Sequence, residues 1–400
     1  MSGSSVTTIR ADATALLTTG RRWPCRHEGQ ADYHGNHALF ERYPQLRGDP
    51  RYRDYGSQPD TPDNPVPGSR GGGLFPVLAR TPSGTLLCVL RTGASHKNTP
   101  GAEISLTRSR DRGRTWSPYE VVVTGDGPQD ARDPAFGVLD EEKYVLAYGV
   151  HDLDQGSHGM SVIRTEDAGR TWSNPVRVET DPDGPWLHPH GQMVSTGPDS
   201  LVFNSRGAYS PEQYRQNPQL PGREAYLHFS DDAGRSFSRR THLGPVSETT
   251  LLCLDGDAWI AYSRDNRGAA VVGRSDDGGR SWGGWSRAYP ESSFKSDFSS
   301  YIAPGSMLRL PSGRLLLVHT YRDHPFGIRA VVGRENEGFA WDRPYALTQS
   351  FWTFDSGYPS AACFEDGTVV VTAYTMLDLD HPEWGTCAVA YRFHEDELRD

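Results

Sequence analysis

The chain of 400 residues predicts an all-β fold, a six-bladed β-propeller with its ring closed by an N-terminal strand. Three observations predict it: a recurring eight-residue phrase, blade-sized intervals between its copies, and a last set of strands that lacks one member. The phrase reads Ser109-Arg110-Asp111-Arg112-Gly113-Arg114-Thr115-Trp116 and returns over 165–172, 230–237 and 275–282, with a worn copy from Arg334 to Trp341. Its last positions are Trp116, Trp172, Phe237, Trp282 and Trp341, so the steps are 56, 65, 45 and 59 residues. Steps of roughly 40–50 residues or a little more suit a four-stranded propeller blade.

Each position of the phrase has a physical task. Ser, Thr and Asp oxygens fold back onto backbone N–H groups of a tight turn. Gly accepts a positive φ without a Cβ penalty. The closing aromatic leaves the turn and packs into the layer beneath. The phrase is therefore a clip joining two strands. Apolar, β-rich runs precede each clip, as Val77–Ala79, Leu86–Leu90 and Glu103–Leu106 precede the first. A further short strand follows, as at Val121–Val123 and Val176–Val178. After the last clip, Pro359–Phe364, Thr368–Tyr374 and Thr386–Phe393 form three strands without a fourth. Val6–Arg10, or a strand near it, is expected to supply the missing one and hide the sheet edges.

Residues 1–68 stand apart as an N-terminal extension, and 69–400 form the propeller. Ser57–Pro67 is a proline-broken linker. The stretch 27–55 is dense in His, Tyr, Arg and Asp, which suits either an extended segment along the propeller or a cap over one mouth. Gly 43, Pro 29 and an aromatic content of 10% agree with a turn-rich β chain. The net charge of −10 argues against a nucleic-acid surface. No stretch has signal-peptide or membrane-spanning character, so a cytoplasmic protein without a membrane partner is expected. Five cysteines, Cys25, Cys88, Cys253, Cys363 and Cys387, have no metal-type spacing. Neither a catalytic metal nor a cofactor is expected.

The clips and their spacing resemble the Asp boxes of the sialidase (neuraminidase) superfamily over residues 70–394. The resemblance implies that the clips lie on the outer rim. The site then sits at the opposite mouth, built from the starts of the inner strands and the loops after the second strands. On that rule, Glu248 opens an inner strand and Arg264 closes the next, while Tyr358 takes the place of the family's nucleophile. The chemistry is coherent: a carboxylate nucleophile is repelled by an anionic sugar, whereas a neutral Tyr approaches it and a neighbouring Glu takes the proton. The family grips the substrate carboxylate with three arginines, whose planar forks match its oxygens. Arg264 and Arg329 are candidates for two of them. Leu74 stands where the first belongs, with Arg91 or Arg70 as substitutes of different geometry. The loop that carries the family's acid/base Asp reads 91–98 without an Asp, and His96 is its proton-transfer group.

Other residues at the same mouth are Asp133 (acid/base or hydroxyl binding), His188, His190, Arg206, Tyr209, Arg322 and Asp355. His151 with Asp154, or His188 with His190, would be the only metal pairs to weigh, and neither has standard ligand spacing. The expected function is a sialidase-like exo-glycosidase acting on a small saccharide or glycoconjugate, its sugar either anionic or polyhydroxylated. Tyr358 is the nucleophile, Glu248 its base, and His96 or Asp133 the acid/base. The substrate contacts are Arg264, Arg329, Arg91, His188, His190, Arg322 and Asp355. Two alternatives belong to other classes: a lyase that eliminates across a uronate, and a non-catalytic propeller that binds carbohydrate or protein.

Overall fold

The computed structural model describes residues 7–16, 44, 72–94, 100–154, 157–181, 183–266, 268–288, 304–322, 324–334, 338–339, 344–352, 355–376, 378–381, 384 and 387–398. His96, most of the N-terminal extension, its linker and the core of the worn clip lie outside them. Strand is the main regular structure of the described chain. It begins with β1 (Thr7–Thr8) and β2 (Asp12–Leu16). A first group follows: β3 (Gly72–Arg80), β4 (Leu86–Ala94), β5 (Glu103–Ser109) and β6 (Glu120–Thr124). The second is β7 (Gln129–Val138), β8 (Tyr144–Asp152), β9 (Ser157–Thr165) and β10 (Val176–Arg177). The third is β11 (Trp186–Ser195), β12 (Leu201–Ala208), β13 (Glu224–Ser230) and β14 (Arg239–Gly244), with helix α1 (Pro211–Gln216) between β12 and β13. The fourth is β15 (Val246–Asp255), β16 (Ala258–Asp265), β17 (Ala270–Ser275) and β18 (Gly283–Arg287). Next come β19 (Gly305–Arg309), β20 (Leu315–Tyr321), β21 (Gly327–Arg334), β22 (Gly338–Phe339) and β23 (Tyr345–Thr348). The last group is β24 (Ser356–Cys363), β25 (Thr368–Thr375) and β26 (Cys387–His394).

Within each group the strands pair antiparallel in chain order, except that β21 pairs with both β22 and β23. The first strands touch one another in succession, β3 to β7, β11, β15, β19 and β24, and β24 returns to β3. Apolar side chains fill the wedges between consecutive groups. Val77, Leu87, Phe136 and Ile163 share one wedge, and Leu78, Leu86, Val370 and Ala388 share the wedge between the last group and the first. This explains why a strand such as β25 reads Thr-Val-Val-Val-Thr-Ala-Tyr-Thr and is buried throughout: both faces are covered. The missing fourth strand of the last group is β2, which pairs antiparallel with β26 from Asp12↔Arg392 to Leu16↔Ala388. The expected segment at 6–10 does something else. Thr7 and Thr8 pair parallel with Tyr345 and Ala346 of β23.

The clips fold by one rule. Ser109 Oγ accepts from Gly113 N at 2.8 Å, and Asp111 Oδ1 accepts from Thr115 N at 2.9 Å. Thr115 Oγ1 then donates to Asp111 Oδ2 at 2.6 Å. The copies at Asp167, Asp232 and Asp277 repeat these bonds. Two successive residues in each turn have positive φ, for example Arg112 (60°) and Gly113 (82°). The glycine also allows close approach to a neighbouring group: a Cβ on Gly234 would lie 2.8 Å from Val145 Cγ1.

These bonds draw the clip carboxyls down. In Asp167 and Asp277 the hydroxyls of Thr171 and Ser281 lead, and the pKa falls from 3.8 to about 2. Asp111 also falls to about 2, with burial opposing the bonds from Thr115. A depressed folded-state pKa stabilises above the ordinary value and loses that contribution as pH falls through the folded one. The unfolding midpoint is therefore expected to drop between about pH 4 and pH 2. A variant carrying Asp111→Asn, Asp167→Asn and Asp277→Asn should start lower at pH 5 and fall less steeply. Parallel curves for variant and parent would show that acid sensitivity arises elsewhere.

Candidate functional site

The first strands share a local irregularity that builds the site. Phe75, Asp133, Glu248 and Tyr358 have φ values of 52°, 49°, 52° and 51°, a left-handed conformation that costs side-chain-bearing residues about 1–3 kcal/mol. Each lies in a register break, between Leu74 and Val77, Arg132 and Ala135, Ser247 and Thr250, or Gly357 and Ser360. A bulge of this kind re-aims a side chain. In three of the four a proline follows (Pro76, Pro134, Pro359), and the ladder there asks for no donor.

Three of these bulges bring polar groups together. Tyr358 Oη donates to Glu248 Oε1 at 2.6 Å across 110 residues of sequence. Arg264 lies 2.7 Å from Glu248 Oε2, and Arg206 lies 3.9 Å from Oε1. Arg322 stands over the Tyr358 ring, 5.5 Å from its centroid, and donates to Ser356 O. Asp133 has Arg132 at 3.2 Å, Arg206 at 3.5 Å and His188 at 3.7 Å. The Tyr358 ring packs edge-on against Phe75 and His190, with centroids at 4.8 and 5.8 Å. Thr320 Oγ1 accepts from Tyr358 N at 3.0 Å. Gly357 permits that contact, since a Cβ there would lie 2.2 Å from the same oxygen.

A narrow pocket opens beside Tyr358, Asp133 and His190. Gln192 lies across its floor. Its Nε2 donates to Leu78 O (2.7 Å) and Ala361 O (2.9 Å), and its Oε1 accepts from Ser306 Oγ (2.7 Å). One side chain of β11 thus ties together β3, β19 and β24.

Burial and ion pairing set the charge states. Burial, then the charge of Glu248, pushes the Tyr358 phenol well above its ordinary value, against Arg322, Arg206 and Arg264. Burial works to raise Glu248, but Arg264, Arg206, His190 and Arg322 hold it well below the carboxylate range. The resting pair is a neutral phenol donating to a carboxylate. Asp133 is likewise held low, burial being outweighed by Arg132, Arg206 and His188. His190 falls to about 4 through burial, so its imidazole is neutral at pH 7. Among the described residues, no three His, Cys, Asp or Glu side chains gather as a metal-binding set.

Three expected substrate contacts, Arg329, Arg91 and Asp355, are corrected. Arg329 is buried, donates to the carbonyls of Thr348, Ile328 and Pro325, and stacks over Tyr321 at 4.3 Å. It braces β21 instead of facing Tyr358. Arg91 is fully buried and paired with Asp130 at 2.5 Å, with Nε donating to Ala131 O. Neither offers a guanidinium to a ligand. Asp355 is buried and accepts from Tyr374 Oη at 2.7 Å, so it supports the site from behind. Leu74 is a core residue. His188, His190, Arg264 and Arg322 join the cluster; His96 lies outside the described residues. Arg206 completes a trio that sequence reasoning undervalued. The signal was spacing: Arg206, Arg264 and Arg322 are separated by 58 residues each time.

The BNR repeat-like domain family matches residues 131–371. A sialidase of Micromonospora viridifaciens is 26% identical over 232 residues, which is 52% of this chain and 35% of that protein. The chain thus spans about a third of the length of the curated relative it matches. A Dyadobacter fermentans protein of unknown function superposes with a TM-score of 0.66 at 19% identity, over 80% of this chain and 94% of its own. A Streptococcus pneumoniae sialidase mutant gives 0.62 at 13%, over 82% and 69%. At such identities the structural likeness shows the fold alone.

Proposed function

Because this chain belongs to the BNR repeat-like domain family of the sialidase superfamily, we propose that it is a six-bladed β-propeller glycosidase that removes a terminal anionic sugar from a small saccharide or glycoconjugate. Residues 69–400 form the propeller in this reading, and β2 closes its ring. The observation that carries the activity is the 2.6 Å bond between Tyr358 and Glu248, ringed by Arg206, Arg264 and Arg322.

The three guanidiniums hold the sugar carboxylate by charge-assisted hydrogen bonds. Tyr358 attacks the anomeric carbon as a neutral nucleophile, and its proton passes to Glu248. Substrate binding itself prepares that transfer. The arginines depress Glu248; a bound carboxylate offsets their charge, so Glu248 regains basicity as the reaction needs it. Asp133, held ionised among Arg132, Arg206 and His188, orients these cations and does not donate a proton to the leaving group. That step falls to His96, so the glycosidic bond breaks as Tyr358 bonds to the sugar; water, deprotonated by His96, then displaces Tyr358, which takes its proton back from Glu248.

A screen of chromogenic sialosides, uronides and neutral pyranosides tests the reading, with products followed by proton NMR. Cleavage confined to anionic glycosides is expected. Preference for neutral pyranosides would overturn the arginine assignment. An unsaturated product absorbing in the near ultraviolet would identify an eliminative enzyme. No turnover in any arm would make the chain a binding propeller.

A further inference from the structure

The cluster holds more positive charge than one carboxylate balances. Among the described residues, Arg132, Arg206, Arg223, Arg264 and Arg322 act on its groups, against the carboxylates of Asp133, Glu248 and Asp355. Five minus three leaves an excess of two, in a chain of net charge −10. Arg91 and Asp130 cancel within their own pair. Four of the five arginines have contacts inside the cluster. Arg223 differs: it is exposed, and among the described residues its guanidinium makes no ion pair.

Register places it. In the β12–β13 pair, Arg206 lies opposite Ala225. Arg223 stands one residue before β13 and two before Ala225, so the alternation continued past the end of the strand puts it on the face of Arg206, farther toward solvent. Its charge environment consists of Arg264, Glu248, Arg206 and Tyr358. Its backbone is fastened on both sides. Arg223 N donates to Asn266 Oδ1 at 2.6 Å, and Asn266 Nδ2 returns a bond to Arg223 O at 3.0 Å. Asn266 lies two residues past Arg264, so the clamp ties this loop to the strand bearing that arginine. From the other side, Tyr214 of α1 donates its hydroxyl to Pro221 O at 2.9 Å. The capping box of Ser210 and Gln213 holds α1 itself. The next residue, Glu224, accepts from the hydroxyls of Tyr209 and Tyr226. The loop is tied at its backbone while the guanidinium stays free, which is the arrangement of a preorganised recognition group.

We propose that Arg223 binds a second anionic group, a sulfate, phosphate or carboxylate on the part of the substrate that projects out of the pocket, so that the preferred substrate is a dianion. The first anion is the sugar carboxylate of the proposed glycosidase, and the inference rests on that reading for its place. An exposed guanidinium meeting a dianion is expected to be worth about fivefold in affinity.

Calorimetric titration of the full chain with two probe pairs tests this. One pair is benzoate and 4-sulfobenzoate; the other is phenyl and 4-sulfophenyl sialoside, titrated in a Tyr358→Phe background to prevent turnover. The sulfonated member of each pair should bind about fivefold tighter. Arg223→Gln should abolish the preference without weakening the other member. A preference that survives Arg223→Gln overturns the proposal, as does equal weakening of both members, which would place Arg223 on the first carboxylate. An Arg223-dependent preference in the benzoate pair, with no sialoside bound, sustains the second-anion site and overturns the sugar. Sialoside binding without preference in either pair does the reverse. Absence of binding by every probe overturns both.

Discussion

Tyr358→Phe is expected to lower kcat at least about a thousandfold on whichever glycoside the protein cleaves, while the fold survives. The substitution removes one oxygen and leaves the ring. Its contacts with Phe75, His190 and Tyr374 depend on the ring, at centroid distances of 4.8, 5.8 and 5.8 Å. The bond from its backbone N–H to Thr320 does not involve the side chain. Glu248 loses a donor but keeps Arg264 at 2.7 Å, so the cost in stability is about 1–3 kcal/mol. The chemical loss is larger because, among the described residues, Tyr358 is the group whose hydroxyl hydrogen-bonds Glu248. KM should change little, since the arginines that bind the ground state are untouched. Steady-state kinetics with a matched unfolding curve would check both parts. A variant retaining a tenth of the parent's kcat would remove Tyr358 from the chemistry, and unchanged binding with abolished turnover would assign it there.

Much of this centre is written locally. The left-handed residues stand before prolines at Phe75, Asp133 and Tyr358, and the clips announce their turns by Ser or Thr, Asp and Gly at fixed offsets. Strand existence followed from β-branched runs, because a strand covered on both faces must be apolar throughout. What sequence reading lost was set by partners distant in the chain. Arg91 occupies the register that Arg264 occupies, opposite the residue before a left-handed one. Nothing near it announces Asp130, 39 residues later, which takes its guanidinium out of reach. Arg329 failed for another reason. It belongs to a third strand, where the face a side chain takes depends on a register shift between Ile328 and Arg329 that composition does not reveal. Arg223 was hidden because it follows a helix and a loop, and the Asn266 clamp that ties it to the strand of Arg264 spans 43 residues.

The Arg91–Asp130 pair also carries the largest expected effect on stability. Both side chains are wholly inaccessible to solvent and lie 2.5 Å apart. Arg91 also donates to Ala131 O at 3.2 Å, so its guanidinium joins the strand beneath Asp133 to the first group. Arg91→Met keeps much of the apolar bulk but leaves Asp130 buried, with Arg132 no nearer than 3.8 Å. Breaking a buried pair from one side costs about 3–5 kcal/mol, mostly because the remaining charge has lost its compensation. Asp130→Leu alone is expected to cost a similar amount, by stranding Arg91. The double variant should recover most of the sum, since two apolar groups need no pairing; it will not recover all, because Ala131 O still lacks its donor. Denaturant unfolding of the four proteins closes the cycle. Strictly additive losses would mean that the two side chains do not act as a pair. Activity should respond less than stability, because Arg91 is the last of four positive groups holding Asp133 low. The pair therefore belongs to the platform under the site, and its loss should be felt in the unfolding midpoint before it is felt in kcat.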